Sequence, residues 1–449
     1  MNWKTNLAAG TLRLHWLGLL VLAACGPAAT PAAVAAVSPT AARVVVSSPA
    51  ELQALVDEII AAPPAQAQAQ ADALWQTLVA GGRQPLILGQ QVTFFYKGAA
   101  EQVQWRGTFN GWEAPGLEGA SIGQTDLWMA QLELPSASRA EYKIVLNDRD
   151  WLPDPANPLL LPSGLSGNSV VSMPGFVVSD ESQERSDVTP GKVSGDLSIT
   201  SRHLGYVVNY RVYTPAGYAS LDHLPVLYVL DGNDFVDERK GAIPILLDNL
   251  IGAGRIQPVL AVFADAREPG KPDHNRREAE FVTYPVEHAR FIAEELVPAI
   301  DAAYLTDPRA EARVIMGSSL GGLSAYFIGA AQSGVFHNVA SLSPSLWVVD
   351  NVAYLPYPQL VGGALQMVGP LQSLTDCGSD SGRACPPLPL KLFFTAGIPD
   401  WDVGDFTSQV AALRQKGYPV AYNQVREGHT WGHWRGQADE MLTYFFAWK

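Results

Sequence analysis

The chain has 449 residues, 47% of them apolar and 16% charged, enough apolar material over that length to build two packed domains and to exclude a disordered chain. Its 44 acids outnumber its 30 bases, giving a net charge of −14. That balance argues against a nucleic-acid partner and against membrane attachment through a polybasic patch.

The first 25 residues read as an export address. Lys4 and Arg13 supply a basic start, and residues 17–24 form an apolar core too short to span a bilayer as a mature helix. Leu22-Ala-Ala-Cys25 resembles a bacterial lipobox, which implies lipidation of Cys25 and makes it the mature N-terminus. The alternative is a plain cleavable signal with Cys25 incidental. Loss of the leader removes Lys4 and Arg13 but no acid, so the charge becomes −16 and any membrane anchor is lipid. The expected location is therefore a membrane-anchored bacterial lipoprotein, at the cell surface or in the periplasm. Residues 26–50, rich in Ala, Pro and Thr up to Ala42, predict a flexible tether.

Residues 51–85 carry Ala/Leu/Gln-rich runs, 51–61 and 66–80, that predict a helical lead-in. Residues 86–175 alternate apolar and polar positions between turn signals, as in Val92-Thr-Phe-Phe-Tyr, Val103-Gln-Trp-Arg-Gly and Tyr142-Lys-Ile-Val-Leu146. That period predicts a small all-β sandwich. Gly107-Thr-Phe-Asn-Gly-Trp112, Glu141-Tyr-Lys and Asp154-Pro-Ala-Asn-Pro158 resemble the immunoglobulin-like early-set module found in glycogen-branching enzymes. In sugar-binding members of that group, exposed aromatics stack on sugar faces, so Trp105, Trp112, Trp128 and Trp151 are candidates for stacking or for the sandwich core.

The polar stretch 176–195 reads as a linker, and 196–449 as an α/β domain with a mostly parallel sheet. Its first core strand, 226–230, ends in the turn Asp231-Gly-Asn-Asp. Arg276 and Arg277 suit an acidic substrate, while Arg277 suits an ion pair with Glu280 equally well. The apolar run Val314-Ile-Met then meets Gly317-Ser-Ser-Leu-Gly321 and a helix-forming segment. Strand, sharp turn and helix with Ser319 at the apex make a nucleophile elbow of the α/β-hydrolase kind. The glycines leave room across the turn, and the N–H of Leu320 is an oxyanion donor. A second donor is expected from the loop after the strand 226–230.

A serine hydroxyl needs a base, and the base needs an orienting acid. The strand Leu392-Phe-Phe-Thr-Ala-Gly runs into Asp400 and Asp402, on the edge where parallel sheets build their sites. Asp400 is favoured, Asp402 is the alternate, and Asp405 reads as the cap of the helix that follows. After a last strand, 420–425, comes Glu427-Gly-His429-Thr-Trp-Gly-His433, with a final helix expected over 434–448. His429, in the loop, suits the base better than His433, which suits packing. The pair offers no evident third ligand for a metal, and no cofactor is called for. Trp431 and Trp434 join Arg277 as candidate substrate contacts.

Residues 196–449 resemble the esterase family that includes enterochelin (ferric enterobactin) and feruloyl esterases. The resemblance rests on Val212-Tyr-Thr-Pro-Ala-Gly-Tyr218, Leu224-Pro-Val-Leu-Tyr-Val-Leu-Asp-Gly232, Arg277-Glu-Ala-Glu-Phe281, the Ser319 elbow, and Glu427-Gly-His-Thr-Trp431 with Trp434-Arg435. It implies Ser319 as nucleophile, Asp400 as acid, His429 as base, and the backbone of Gly232 or Asn233 as the second oxyanion donor. Glu427 stands where the family's first glycine is usual, and Thr430 where aspartate is common. The expected function is ester hydrolysis, on a small-molecule or polysaccharide-linked substrate. Acyl transfer on the same fold, or a glycan-binding surface lipoprotein, are the alternatives. With Cys25 lipidated, Cys377 and Cys385 remain in a Gly/Ser/Pro-rich loop, where an exported chain allows a local disulfide. Oligomeric state is not legible.

Overall fold

A computed structural model describes residues 46–161, 167–350, 352–355, 357–375, 386–398 and 403–448. The leader with Cys25, the pair Cys377 and Cys385, and the acids Asp400 and Asp402 lie outside these residues.

Ser48 accepts a hydrogen bond from Glu51 N, and proline occupies the first turn of the helix Pro49–Ala61. A second helix, Pro64–Ala80, follows. Both start a few residues before the apolar runs, because a capping serine and prolines fitted to a first turn extend them. Their buried Leu52, Val56, Ile59, Leu74 and Leu78 pack on Phe95, Ile122 and Leu127. Phe95 and Leu127 belong to a four-stranded antiparallel sheet that includes Gln91–Lys97 and Leu127–Glu133, and Ile122 directly follows its edge strand Ala120–Ser121. A second antiparallel sheet holds Val103–Gly107, Arg139–Leu146 and Asn168–Ser172. Val92, Phe94, Trp105, Tyr142 and Ile144 fill the space between the two sheets. Trp105 is therefore core and offers no face to a sugar, whereas Trp151 is 41% exposed beneath the Arg106 guanidinium.

The stretch read as a linker is packed. Carbonyls of Glu181 and Gln183 accept from Asn249 Nδ2, and Lys192–Val193 pairs with Val207–Thr214 at the margin of the main sheet. Six strands of that sheet are mutually parallel, in the spatial order Leu260–Asp265, Val226–Val229, Arg313–Ser318, Asn338–Leu342, Lys391–Gly397, Val420–Val425. Val207–Thr214 adds to it antiparallel. Two apolar layers cover the faces: Phe281, Phe291, Leu323, Tyr326 and Met367 on one, and Leu246, Leu250, Met441 and Leu442 on the other. Burial on both sides is why these strands read as unbroken apolar runs. Loops leaving the carboxyl ends of the parallel strands gather along one edge, and Ser319 and His429 sit there.

Candidate active site

The strand Arg313–Ser318 delivers Ser319 at φ 57°, ψ −123°, and the helix Leu320–Ala331 starts with the next residue. Such a backbone costs energy for any residue with a Cβ. It is held by Ser319 N donating to Leu342 O at 2.9 Å. A Cβ on Gly317 would run into the backbone of Gly321, and one on Gly321 would lie 2.9 Å from Asp231 Oδ2. Small residues are thus needed on both sides of the serine.

The loop after Val420–Val425 carries His429, whose Nε2 is 2.8 Å from Ser319 Oγ. The edge of Trp434 packs on the imidazole, 5.2 Å between ring centres. The final helix starts at Trp431, three residues earlier than the pattern suggested, because the Thr430 side chain caps it by accepting from His433 N. His433 consequently lies inside the first turn, fully buried, with Nδ1 3.1 Å from Gly428 O and 3.4 Å from Ser343 Oγ. Of the two histidines, only His429 reaches Ser319.

Ile398, the last described residue before the acids, donates its N–H to Val425 O at 2.8 Å. Ile398 therefore lies beside the end of the strand Val420–Val425, which leads to His429. On the other flank, Gly232 opens the short helix Gly232–Val236 against the backbone of Phe263. First-turn amides of helices lack intrahelical acceptors, which leaves those of Leu320, Gly232 and Asn233 available. The Asn233 side chain is not available, since its oxygen accepts from Arg267 Nη1 at 2.9 Å. Contact between the Asp231 carboxylate and Gly321 sets the two turns side by side.

Arg277 does not pair with Glu280. Its Nε donates to both carboxylate oxygens of Asp231, and its Nη2 to Ser318 O. Burial pushes the Asp231 carboxyl up, and the Arg277 cation opposes that push. This guanidinium braces the elbow from behind. Glu280 instead accepts from Tyr206 Oη at 2.9 Å. Trp434 is 7% exposed and packs edge-on against Trp431, which meets Phe235 in the same way. Trp434 therefore supports the imidazole and presents no face to a ligand.

Sequence reasoning missed Ser343 and Ser345. The Ser345 hydroxyl lies 3.3 Å from Ser319 Oγ and its N–H donates to Ser319 O, so the turn after Asn338–Leu342 forms one wall of the site. Ser-Pro-Ser just past an apolar strand was the available signal. Among the described residues, no group of three His, Cys, Asp or Glu side chains is placed to hold a metal ion.

A serine in a strained strand-to-helix turn with an imidazole in hydrogen-bond reach is the arrangement that activates a hydroxyl for attack. The surrounding fold is the mixed α/β fold of esterases. The chain belongs to the esterase family: the family model described as "Putative esterase" matches residues 201–445. The enterobactin esterase FES from Shigella flexneri, solved in the presence of enterobactin, is 21% identical with a TM-score of 0.61, covering 79% of this chain and 92% of that one. Ferric enterobactin esterase from Salmonella typhimurium is 19% identical with a TM-score of 0.62, covering 79% of this chain and 93% of that one. At these identities the likeness is one of fold. An endo-1,4-beta-xylanase/feruloyl esterase from Xylanibacter ruminicola is 25% identical over 176 residues, 37% of this chain. The match spans only 24% of that protein's length.

Proposed function

We propose that this protein is a serine carboxylic-ester hydrolase. Ser319 Oγ attacks the ester carbonyl while His429 Nε2 takes its proton. The N–H groups of Leu320 and of Gly232 or Asn233 stabilise the oxyanion. His429 then protonates the leaving alcohol, and water, activated by the same imidazole, releases the acid from the acyl-enzyme. Asp400 is the acid that orients His429. The observation that carries this reading is the 2.8 Å approach of His429 Nε2 to a serine held at positive φ. The test is hydrolysis of a short-chain p-nitrophenyl ester by the full chain and by its Ser319→Ala variant.

The names of the relatives suggest two substrate classes, catecholate siderophore lactones and hydroxycinnamoyl esters of plant polysaccharide. Rates on one of each, measured side by side, separate them. Residues 1–25 are proposed as a lipoprotein leader with Cys25 as the lipidated residue, which metabolic labelling with a fatty acid tests. The two antiparallel sheets within 86–175 are read as an immunoglobulin-like early-set module. Cys377 and Cys385 are proposed to form a local disulfide, which thiol counting with and without reductant tests.

A further inference from the structure

The segment 426–432, which carries His429, is gripped by the strands that precede the esterase-family region. Arg139, the first residue of Arg139–Leu146, donates its backbone N–H to Arg426 O at 3.0 Å. Its side chain places Nε and Nη2 2.5 Å from Glu427 Oε1, with both partners buried. Gly428 is pressed on the Thr108 side chain, and Gly432 on the Arg139 guanidinium and Leu161, so that a Cβ at either glycine would collide. Residues on both sides of His429 are therefore fixed by groups 250 or more positions earlier in the chain, while its imidazole meets Ser319 on the far side.

Packing alone does not call for this chemistry. A buried ion pair gains little over apolar residues of the same shape, because desolvation offsets the Coulomb attraction. What it supplies is direction: the charged partners have one good arrangement, and a shift of the loop breaks it. A catalytic imidazole must be held to within about 0.5 Å of its working position.

We propose that the Arg139–Glu427 pair is a positioning device for His429, by which the N-terminal strands hold the 426–432 loop where Nε2 reaches Ser319. Neither residue touches substrate. Both act through the loop, and the N-terminal module is in this sense part of the esterase machinery. The proposal rests on the reading of Ser319 and His429 as nucleophile and base.

The experiment compares the full chain with Arg139→Met, Arg139→Lys, Glu427→Gln and Ser319→Ala on p-nitrophenyl acetate, below the melting temperature of every variant. Arg139→Met and Glu427→Gln should each lose at least about tenfold in kcat with KM within about twofold, their near-UV circular dichroism unchanged. Arg139→Lys should recover part of the loss by keeping a cation beside Glu427. A merely structural pair would lower the folded fraction and leave kcat per folded molecule as in wild type, and that result overturns the proposal. If Arg139→Met does not fold, the isosteric Glu427→Gln carries the test by the same criterion. Activity retained in Ser319→Ala would overturn the underlying reading as well. An inactive Ser319→Ala beside fully active Arg139→Met and Glu427→Gln overturns the positioning role alone.

Discussion

Arg277 holds Asp231 by directing its Nε to both carboxylate oxygens, at 2.9 and 2.8 Å, immediately behind the turn that carries Ser319. The same guanidinium reaches the carbonyl of Ser318, so one cation ties the turn after Val226–Val229 to the elbow. Asp231 is almost wholly enclosed and sits at φ 53°, so its charge depends on this partner.

Arg277→Met is accordingly expected to leave a buried carboxylate unpaired and to cost about 3–5 kcal/mol of stability. Urea unfolding of the two proteins measures it. A variant of wild-type stability whose only change is a raised KM for acidic esters would instead make Arg277 a substrate contact.

Glu280 and His288 set opposite pH dependences. Burial pushes the Glu280 carboxyl from 4.5 to about 7; Tyr206 and Arg276 oppose the push, and Asp231 and Asp265 add to it. Between these values the folded chain holds a proton that the unfolded chain has released, so stability falls as pH rises from 4.5 to 7. Burial pushes the neighbouring His288 from 6.5 down to about 3, so its contribution is lost as pH falls through that window. Glu280→Gln removes only the first effect. Its stability relative to wild type should climb by up to roughly 3 kcal/mol from pH 4.5 to 7 and then level off. Melting curves across that range check it, and parallel curves would contradict it.

Asp400→Asn should lower kcat by about 10⁴ with little effect on KM, as expected for loss of the group that orients the base. Asp402→Asn should cost far less. The reverse ranking would transfer the role to Asp402.

Gly317→Ala places a methyl group on the backbone of Gly321, so the elbow has to open. The expected result is a loss of about 1–3 kcal/mol in stability together with loss of ester hydrolysis. An active variant of wild-type stability would show that the turn tolerates the side chain.

What the sequence disclosed about this site follows the range of each interaction. The elbow was legible because its requirements are local: glycines at 317 and 321, an apolar strand before, a helix after. His429 stands out from His433 by its place in the loop, again a local feature, and its Nε2 lies 2.8 Å from Ser319 Oγ. The parallel strands announced themselves as apolar runs. Sequence spacing offers Arg277 only near neighbours such as Glu280, whereas its partner Asp231 is 46 residues away across the sheet. The Arg139–Glu427 pair, 288 residues apart, depends on how two sheet systems dock, and no periodicity encodes that. Trp105 belongs to a strand buried along its whole length, so alternation gave no sign of which side faced the core.

The most direct test of the central claim is the rate of p-nitrophenyl acetate hydrolysis by the full chain beside Ser319→Ala, with folding of both verified by circular dichroism. The account predicts turnover by the wild type and a loss of more than about a thousandfold in the variant. Comparable rates for the two proteins would contradict it.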